Sequence, residues 1–340
     1  MSDLLSKLLI LRTPRIGPAR YNELVARFGS VDAAADSLRS DMAHVDMVRR
    51  EIDAAYKQGI QYISDDDPRY PDMLRCVKNH PPLITVRGNV DTLSRPIVSM
   101  VGTRHATAAG MDFMANMANA FASNRYAVAS GMAIGTDTAA HRGALRASGD
   151  GVTIAVVAGG VDYIWPVENE SLYWEIVQRG CVISEMPVGF TPIATNFVQR
   201  NRIVAGICKR LILGEADLKS GSMTTARFAI EYGRDVFAVP SHPSDPRGAG
   251  PNSLIKTGLA TLCSGVGDFF AGDDLQSKKI KNEKKSDSEN SLVDALGTIP
   301  VSESVLAEVV KKSVSEIKSE LVVLELQGIV RKVDGGYVRA

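Results

Sequence analysis

Two short apolar runs, each followed by a glycine turn and a helical pattern, lie within residues 96–145. Residues 97–101 are too few for a helix, and the run stops at Gly102, where the chain can turn without a Cβ in the way. The second run stops at Ser130 and Gly131, and Gly135 precedes the next helical pattern. This order predicts two neighbouring strand–turn–helix units of a parallel sheet. The carboxyl edge of such a sheet, where helix N-termini present free N–H groups, is predicted to bind an anion.

The spacing of these glycines argues against two common nucleotide sites. A dinucleotide fingerprint needs three glycines within one turn, whereas Gly102 stands alone and the spacing from Gly131 to Gly135 is a different one. The phosphate-binding loop of nucleoside triphosphatases needs a lysine after its last glycine, but Lys219 precedes Gly221. The predicted anion is therefore neither NAD nor a nucleoside triphosphate, and no cofactor is expected.

Patterns along the rest of the chain predict an α/β protein of several domains. Residues 1–62 carry the leucines and aromatic residues of a small N-terminal helical domain. Strands and helices then alternate through residues 63–271, which predicts an extended Rossmann-like domain with a doubly wound parallel sheet. Residues 272–290 are polar, dense in charge and free of aromatic side chains, so they predict a flexible linker. Three helical patterns and a hairpin in residues 291–340 predict a C-terminal winged-helix domain.

A break in the helical domain resembles the turn of a helix-hairpin-helix element. It consists of Ile16, Gly17 and Pro18, and the backbone N–H groups of such a turn can bind a phosphate. Arg15 stands where that motif usually has its first glycine. Two interpretations stay open: the hairpin contacts nucleic acid, or the domain is a structural cap.

The composition of the chain limits which partners it is expected to bind and in which compartment it is expected to work. The 39 basic and 39 acidic residues cancel, so any binding of nucleic acid depends on local basic patches. The four cysteines are far apart and share no metal-ligand spacing with the histidines, which predicts a reduced, cytoplasmic protein without a metal. No apolar run approaches the length of a membrane span or of a signal peptide, so no membrane association is expected.

Several motifs in combination resemble the DNA-processing protein A family, also called DprA or Smf. The resemblance covers roughly the whole chain. It is carried by Val101-Gly102-Thr103-Arg104, by Ser130-Gly131-Met132-Ala133-Ile134-Gly135-Thr136-Asp137 with Ala140-His141, by Phe197-Val198-Gln199-Arg200-Asn201-Arg202, by Lys219-Ser220-Gly221-Ser222 with Thr224 and Thr225, and by Gly250-Pro251-Asn252.

These motifs supply the candidate DNA-binding residues, which combine glycine turns, forked arginines and one aromatic ring. Residues 187–214 contain no acidic side chain, so the arginines there are expected to be free to bind phosphate, although a solvated helix face is the alternative. Arg104 follows one glycine turn and Lys219 precedes another, and each is expected to hold a phosphate. The alternative is that either one is a surface charge paired with Glu215 or Asp217. The candidates are Gly102, Thr103, Arg104, Ser130, Gly131, Gly135, Phe197, Arg200, Asn201, Arg202, Lys219, Ser220, Gly221 and Ser222.

The resemblance implies a protein that binds single-stranded DNA, protects it as it enters the cell and loads RecA recombinase onto it during natural transformation. It also implies a homodimer, and the apolar side chains of residues 251–270 suggest the interface, namely Leu254, Ile255, Leu259, Leu262 and Phe269. The third helical pattern of the winged-helix domain is acidic, which favours contact with a protein over the DNA major groove.

A second hypothesis is a nucleotide-processing hydrolase of the lysine decarboxylase-like (LOG) kind, whose fold is similar. That family has a carboxylate where Phe228 stands in this chain, so no general acid or base is in place there. The sequence therefore predicts no catalytic residue and no enzymatic activity. Trp165 is expected to pack mainly in the interior, and His141 is expected to form a structural pair with Asp137.

Overall fold

The computed structural model describes residues 2–270, 291–297, 300–333 and 335–340. The chain divides into two compact units, Met1–Asp273 and Asp274–Ala340. The linker predicted at residues 272–290 lies outside the described residues. The boundary predicted between residues 62 and 63 falls inside a strand, Ile60–Ser64, that belongs to the main sheet.

The first unit begins with four helices. They are α1 (Ser2–Leu11), α2 (Pro18–Phe28), α3 (Val31–Ser37) and α4 (Met42–Lys57). Ile10, Tyr21 and Leu24 form part of a small apolar core between them. Gly29 ends α2 in the left-handed conformation, which a glycine adopts without steric cost. The helical domain predicted from the leucine pattern is therefore present.

A nine-stranded sheet forms the centre of the unit, in the order β1-β2-β6-β5-β4-β3-β7-β8-β9. Its strands are β1 (Ile60–Ser64), β2 (Leu83–Gly88), β3 (Ile97–Val101), β4 (Ala127–Ser130), β5 (Val152–Val156), β6 (Cys181–Ser184), β7 (Arg210–Leu213), β8 (Asp235–Ala238) and β9 (Thr261–Leu262). In this spatial order, every neighbouring pair between β6 and the edge strand β9 is parallel. At the other edge, β2 runs antiparallel to both β1 and β6. The doubly wound, mostly parallel sheet is confirmed, and the antiparallel edge is a feature that the sequence did not reveal.

Helices cover both faces of this sheet. They are α5 (Asp72–Arg75), α6 (Ala108–Ser123), α7 (Thr136–Leu145), α8 (Glu170–Arg179), α9 (Ala194–Gly206), α10 (Gly221–Glu231), α11 (Ala249–Lys256) and α12 (Val266–Phe270). Alternate residues of β3 point to opposite faces. Ile97 and Val101 pack in the core that contains α9 and α10, while Val98 and Met100 pack in the core that contains α6 and α7.

The second unit has three described helices and a hairpin. They are α13 (Ser291–Asp294), α14 (Glu303–Val310), α15 (Val314–Leu326), β10 (Val330–Val333) and β11 (Gly336–Arg339). Leu306, Ile317 and Leu321 are buried in its core. Ser313 and Glu316 form a capping box at the start of α15, and each satisfies a backbone N–H group of the other. The arrangement is that of a winged helix.

Two findings bear on partners. Of the five apolar side chains suggested for a dimer interface, Leu254 and Phe269 are buried in the core of the chain itself, so they are not available to a second copy. Leu259 and Leu262 are about half exposed. Within the described residues, no helix combines the length and hydropathy that crossing a membrane requires.

Candidate functional site

A cleft of about 370 Å³ opens at the carboxyl edge of the sheet. It lies where β3 has β4 on one side and β7 on the other, so the direction of chain progression reverses there. Open parallel sheets bind their ligands at such reversal points. The residues that line the cleft come from the ends of β3 and β4 and from α9 and α10: Val101, Gly102, Thr103, Arg104, His105, Gly131, Ala133, Asp137, Phe197, Val198, Arg200, Asn201, Val204, Ser220, Gly221, Ser222 and Thr225.

The turn after β3 is held tightly, and it carries Arg104 at the mouth of the cleft. The Thr103 N–H donates to Glu215 O over 2.6 Å, and the Thr136 hydroxyl donates to Thr103 O over 3.1 Å. A Cβ on Gly102 would lie 2.7 Å from Thr136 Cγ2, so only glycine fits there. Arg104 itself is exposed. The fold therefore fixes the backbone of this arginine and leaves its guanidinium free to reach a ligand.

The turn after β4 forms the base of the cleft, around Gly131. A Cβ on Gly131 would lie 2.7 Å from Arg200 Nη1 and would also collide with the Asp137 carboxylate. The Gly131 carbonyl accepts from His141 Nε2 over 2.5 Å, while His141 Nδ1 lies 2.7 Å from Thr153 Oγ1. The expected pairing of His141 with Asp137 is wrong, because the ring is held between two strands instead.

The charged groups beneath Gly131 are buried, and their pKa values reflect it. Burial raises the pKa of Asp137 above its ordinary value, although the nearby Arg200 charge and the Ala133 N–H oppose the shift. Burial also lowers the pKa of Arg200, against the attraction of Asp137. His141 has its pKa lowered to about 4 by burial, with a further contribution from Arg200. At neutral pH the imidazole is therefore uncharged.

Helices α9 and α10 complete the cleft. Asn201 Nδ2 donates to Gly221 O over 3.2 Å, which ties α9 to the first turn of α10. Ser220 caps α10 by accepting from the Met223 N–H, and its hydroxyl lies 2.8 Å from that of Ser222. The first N–H groups of a helix have no partner within the helix, so this turn presents donors to the cleft. Phe197 of α9 is half-buried at the mouth.

Trp165 belongs to the mouth of the cleft, which the sequence did not predict. Its ring lies edge-on to Phe197, with centroids 4.7 Å apart, and the Arg104 guanidinium carbon lies 5.4 Å from its centre. Trp165 is 37% exposed, so the expectation that it packs mainly in the interior is wrong. No sequence spacing links residues 104, 165 and 197, since the fold alone brings them together.

Ten of the candidate DNA-binding residues line this cleft and four do not. Ser130 is buried and donates to Met100 O over 2.7 Å, and Gly135 lies outside the lining at a φ of 82°. Lys219 is exposed just outside the lining and pairs with neither Glu215 nor Asp217 among the described residues. Arg202 faces a different groove and pairs with Glu185.

The expectation that the arginines of residues 187–214 are free is wrong for all three of them. Arg202 is paired with Glu185, and Arg210 contacts Asp235 over 3.4 Å. Arg200 is buried, donates to Val156 O and forms part of the base of the cleft. The absence of acidic residues nearby in sequence did not matter, because the partners come from other strands.

Comparison with known proteins places this site in a family. The model of the DNA recombination-mediator protein A family matches residues 61–272. A DprA-like N-terminal HHH domain matches residues 2–54, and a DprA winged helix domain matches residues 277–336. Among individual relatives, Protein Smf of Synechocystis sp. is 36% identical over 60% of this chain and 52% of that protein, so the chain aligns with about half of its length.

Two solved structures are similar to a large part of this chain. The X-ray structure of DNA processing protein A from Streptococcus pneumoniae is 31% identical, with a TM-score of 0.68 over 79% of this chain and 97% of that one. A structure of DNA processing protein A from Helicobacter pylori, which concerns its single-stranded DNA binding mode, is also 31% identical. Its TM-score is 0.56, over 62% of this chain and 94% of that one. The glycine turns, the winged helix and these matches agree, and the chain belongs to the DNA recombination-mediator protein A (DprA) family.

Proposed function

We propose that this protein binds single-stranded DNA in the cleft at the carboxyl edge of the sheet. The observation that carries the proposal is the exposed Arg104 over the Trp165 ring, with Phe197 beside it. Cationic groups that bind a phosphate backbone, together with aromatic rings that stack on bases, are the combination that single-strand binding proteins use. The single-stranded DNA binding mode of the Helicobacter pylori relative supports the same ligand.

The cleft suits a single strand better than a duplex. Its donors are Arg104, at the mouth on the turn after β3, and the first turn of α10, and they surround an opening at the carboxyl edge of the sheet. A flexible strand can enter such an opening and turn a base toward Phe197 and Trp165. A duplex keeps its bases stacked inside, so it offers the two rings nothing to stack on.

In the cell, we propose that this binding serves DNA processing in natural transformation. The protein would protect incoming single strands and load RecA recombinase onto them. Family membership supports the processing role, and binding that ignores base sequence suits a strand of arbitrary origin. A homodimer is part of this proposal, with Leu259 and Leu262 as the exposed apolar side chains of the suggested interface.

We also propose that the cleft has no hydrolytic activity. Among its described lining residues, Asp137 is the one carboxylate, and it is buried beside Arg200 and accepts from the Ala133 N–H. A general base must reach the proton that it removes, and this carboxylate is already engaged beneath the Gly131 turn. Phe228, at the position where hydrolases of similar fold carry a carboxylate, packs against the core formed with α9 and α10.

Fluorescence anisotropy with oligothymidine and with a matched duplex tests the ligand. We expect clear preference for the single strand at equal salt, and equal affinity for both forms would contradict the proposal. An assay of nucleoside monophosphate hydrolysis, run beside it, separates the two functions. Turnover by the purified protein that disappears in Asp137→Asn would favour the hydrolase.

A further inference from the structure

A second groove, of about 690 Å³, lies on the other side of α9 from the cleft. It separates the turn between α1 and α2 from the sheet, within the first compact unit. Phe197 and Asn201 of α9 line the cleft, whereas Gln199 and Arg202 of the same helix line the groove. The helix is therefore the shared wall of the two depressions.

The groove carries more positive than negative charge. Its lining contains five basic and two acidic residues, namely Arg12, Arg15, Arg20, Lys78, Arg202, Glu185 and Glu231. Three of the basic residues are arginines already paired with glutamates: Arg12 with Glu51, Arg20 with Glu23, and Arg202 with Glu185. Arg15 and Lys78 are exposed, and neither has an ion pair or a side-chain hydrogen bond among the described residues. Two cations are thus available to a ligand in the groove.

The backbone of Arg15 is in a conformation that suits glycine. Its φ is +66°, in the left-handed region, which costs a residue with a Cβ about 1 kcal/mol or more. A glycine would hold the same turn without that cost. The presence of an arginine here is therefore better explained by what its side chain binds than by the needs of the turn.

We propose that a single DNA strand bound in the cleft continues over α9 into this groove, where its phosphates contact Arg15 and Lys78. The inference rests on the proposed binding of single-stranded DNA. A helix is about 10 to 12 Å across, so a strand must extend at least that far beyond the cleft to reach the groove. A short strand therefore occupies the cleft alone, and a longer one also occupies the groove.

The test compares oligothymidines of about 6 and about 20 nucleotides, measured by anisotropy across a salt series. The double variant Arg15→Gly with Lys78→Ala removes both cations while it keeps the turn conformation. On the long strand it is expected to lower affinity about tenfold and to flatten the plot of log affinity against log salt by about 1.4, which is about 0.7 per contact. On the short strand it is expected to match the wild type.

Lys57→Ala is the matched control, because Lys57 is exposed on α4 in the same unit and lines neither depression. Thermal melting checks that the double variant is folded, and replacing Arg15→Gly by Arg15→Lys in it returns one charge and should recover part of the long-strand binding. If the double variant loses equal affinity for both strands, or loses none for the long strand, DNA does not bind in the groove as proposed. Neither result would contradict binding in the cleft. If neither strand binds the wild type, the proposed function fails and the groove fails with it.

Discussion

The mouth of the cleft, here called its rim, and the base of the cleft, here called its floor, contain similar kinds of side chain in opposite environments. On the rim, Arg104 and Trp165 are exposed and touch each other. On the floor, Asp137, Arg200 and the underlying His141 are buried and make their hydrogen bonds within the protein. The difference teaches that a charged residue in a binding cleft is a candidate for ligand contact only when the fold has not already satisfied it.

The largest effect is expected on the floor, and on stability. Arg200→Leu leaves the buried Asp137 without its neighbouring positive charge and Val156 O without its donor, and an uncompensated buried charge costs about 3–5 kcal/mol of unfolding free energy. Adding Asp137→Asn removes the stranded charge and should recover part of the loss. Urea unfolding measures both variants. If Arg200→Leu is as stable as the wild type, Arg200 does not have the structural role on the floor that is proposed for it.

The second effect is the pH dependence of stability through His141. The unfolded chain takes up this proton near 6.5, but the folded chain does so only near a pKa of about 4. Protonation therefore favours unfolding, and the free energy of unfolding falls as pH drops from about 6.5 to 4, by up to about 3 kcal/mol. In His141→Gln this part of the pH dependence should vanish. Parallel pH profiles of the two proteins would contradict a buried neutral imidazole.

The third effect belongs to the rim and to binding. Trp165→Ala removes a stacking surface, and base–aromatic stacking contributes about 1–3 kcal/mol per base, so affinity for oligothymidine should fall about 10- to 100-fold. Trp174→Ala is a matched control, because Trp174 is 40% exposed with a guanidinium over its ring, but its partners are Tyr173 and Arg87 rather than the cleft residues Phe197 and Arg104. If the two variants bind equally well, the aromatic rim has no role.

The smallest effect concerns charge on and beside the rim. Arg104→Ala and Lys219→Ala should each flatten the plot of log affinity against log salt by about 0.7, and the double variant by about 1.4. Stability should stay within about 0.5 kcal/mol, because both side chains are exposed. The salt titration uses exposed Arg146→Ala for comparison. A double variant with the wild-type slope would remove Arg104 and Lys219 from the DNA path.

Most of the sheet could be predicted because its signals are local. The mostly apolar run of β3 and the glycine after it specify a buried strand and a turn, and the predicted bounds agree with the structure. The strand Ile60–Ser64 was missed because its alternating pattern is short and precedes a run of aspartates that indicates a turn. Its pairing with β2 depends on a segment about twenty or more residues away, which a local pattern cannot report.

The amino-acid sequence by itself determined where the chain turns and which short runs form strands, because an apolar run and the glycine that ends it are local signals. Only the tertiary structure decided which charges and rings are free. Arg202 is satisfied by Glu185 and Arg200 by Val156 O, both from other parts of the sheet, while Trp165 reaches Arg104 from a distant loop. Whether a side chain is buried or paired depends on its neighbours in space. The composition along the chain therefore could not distinguish the exposed side chains on the rim of this cleft from the buried ones on its floor.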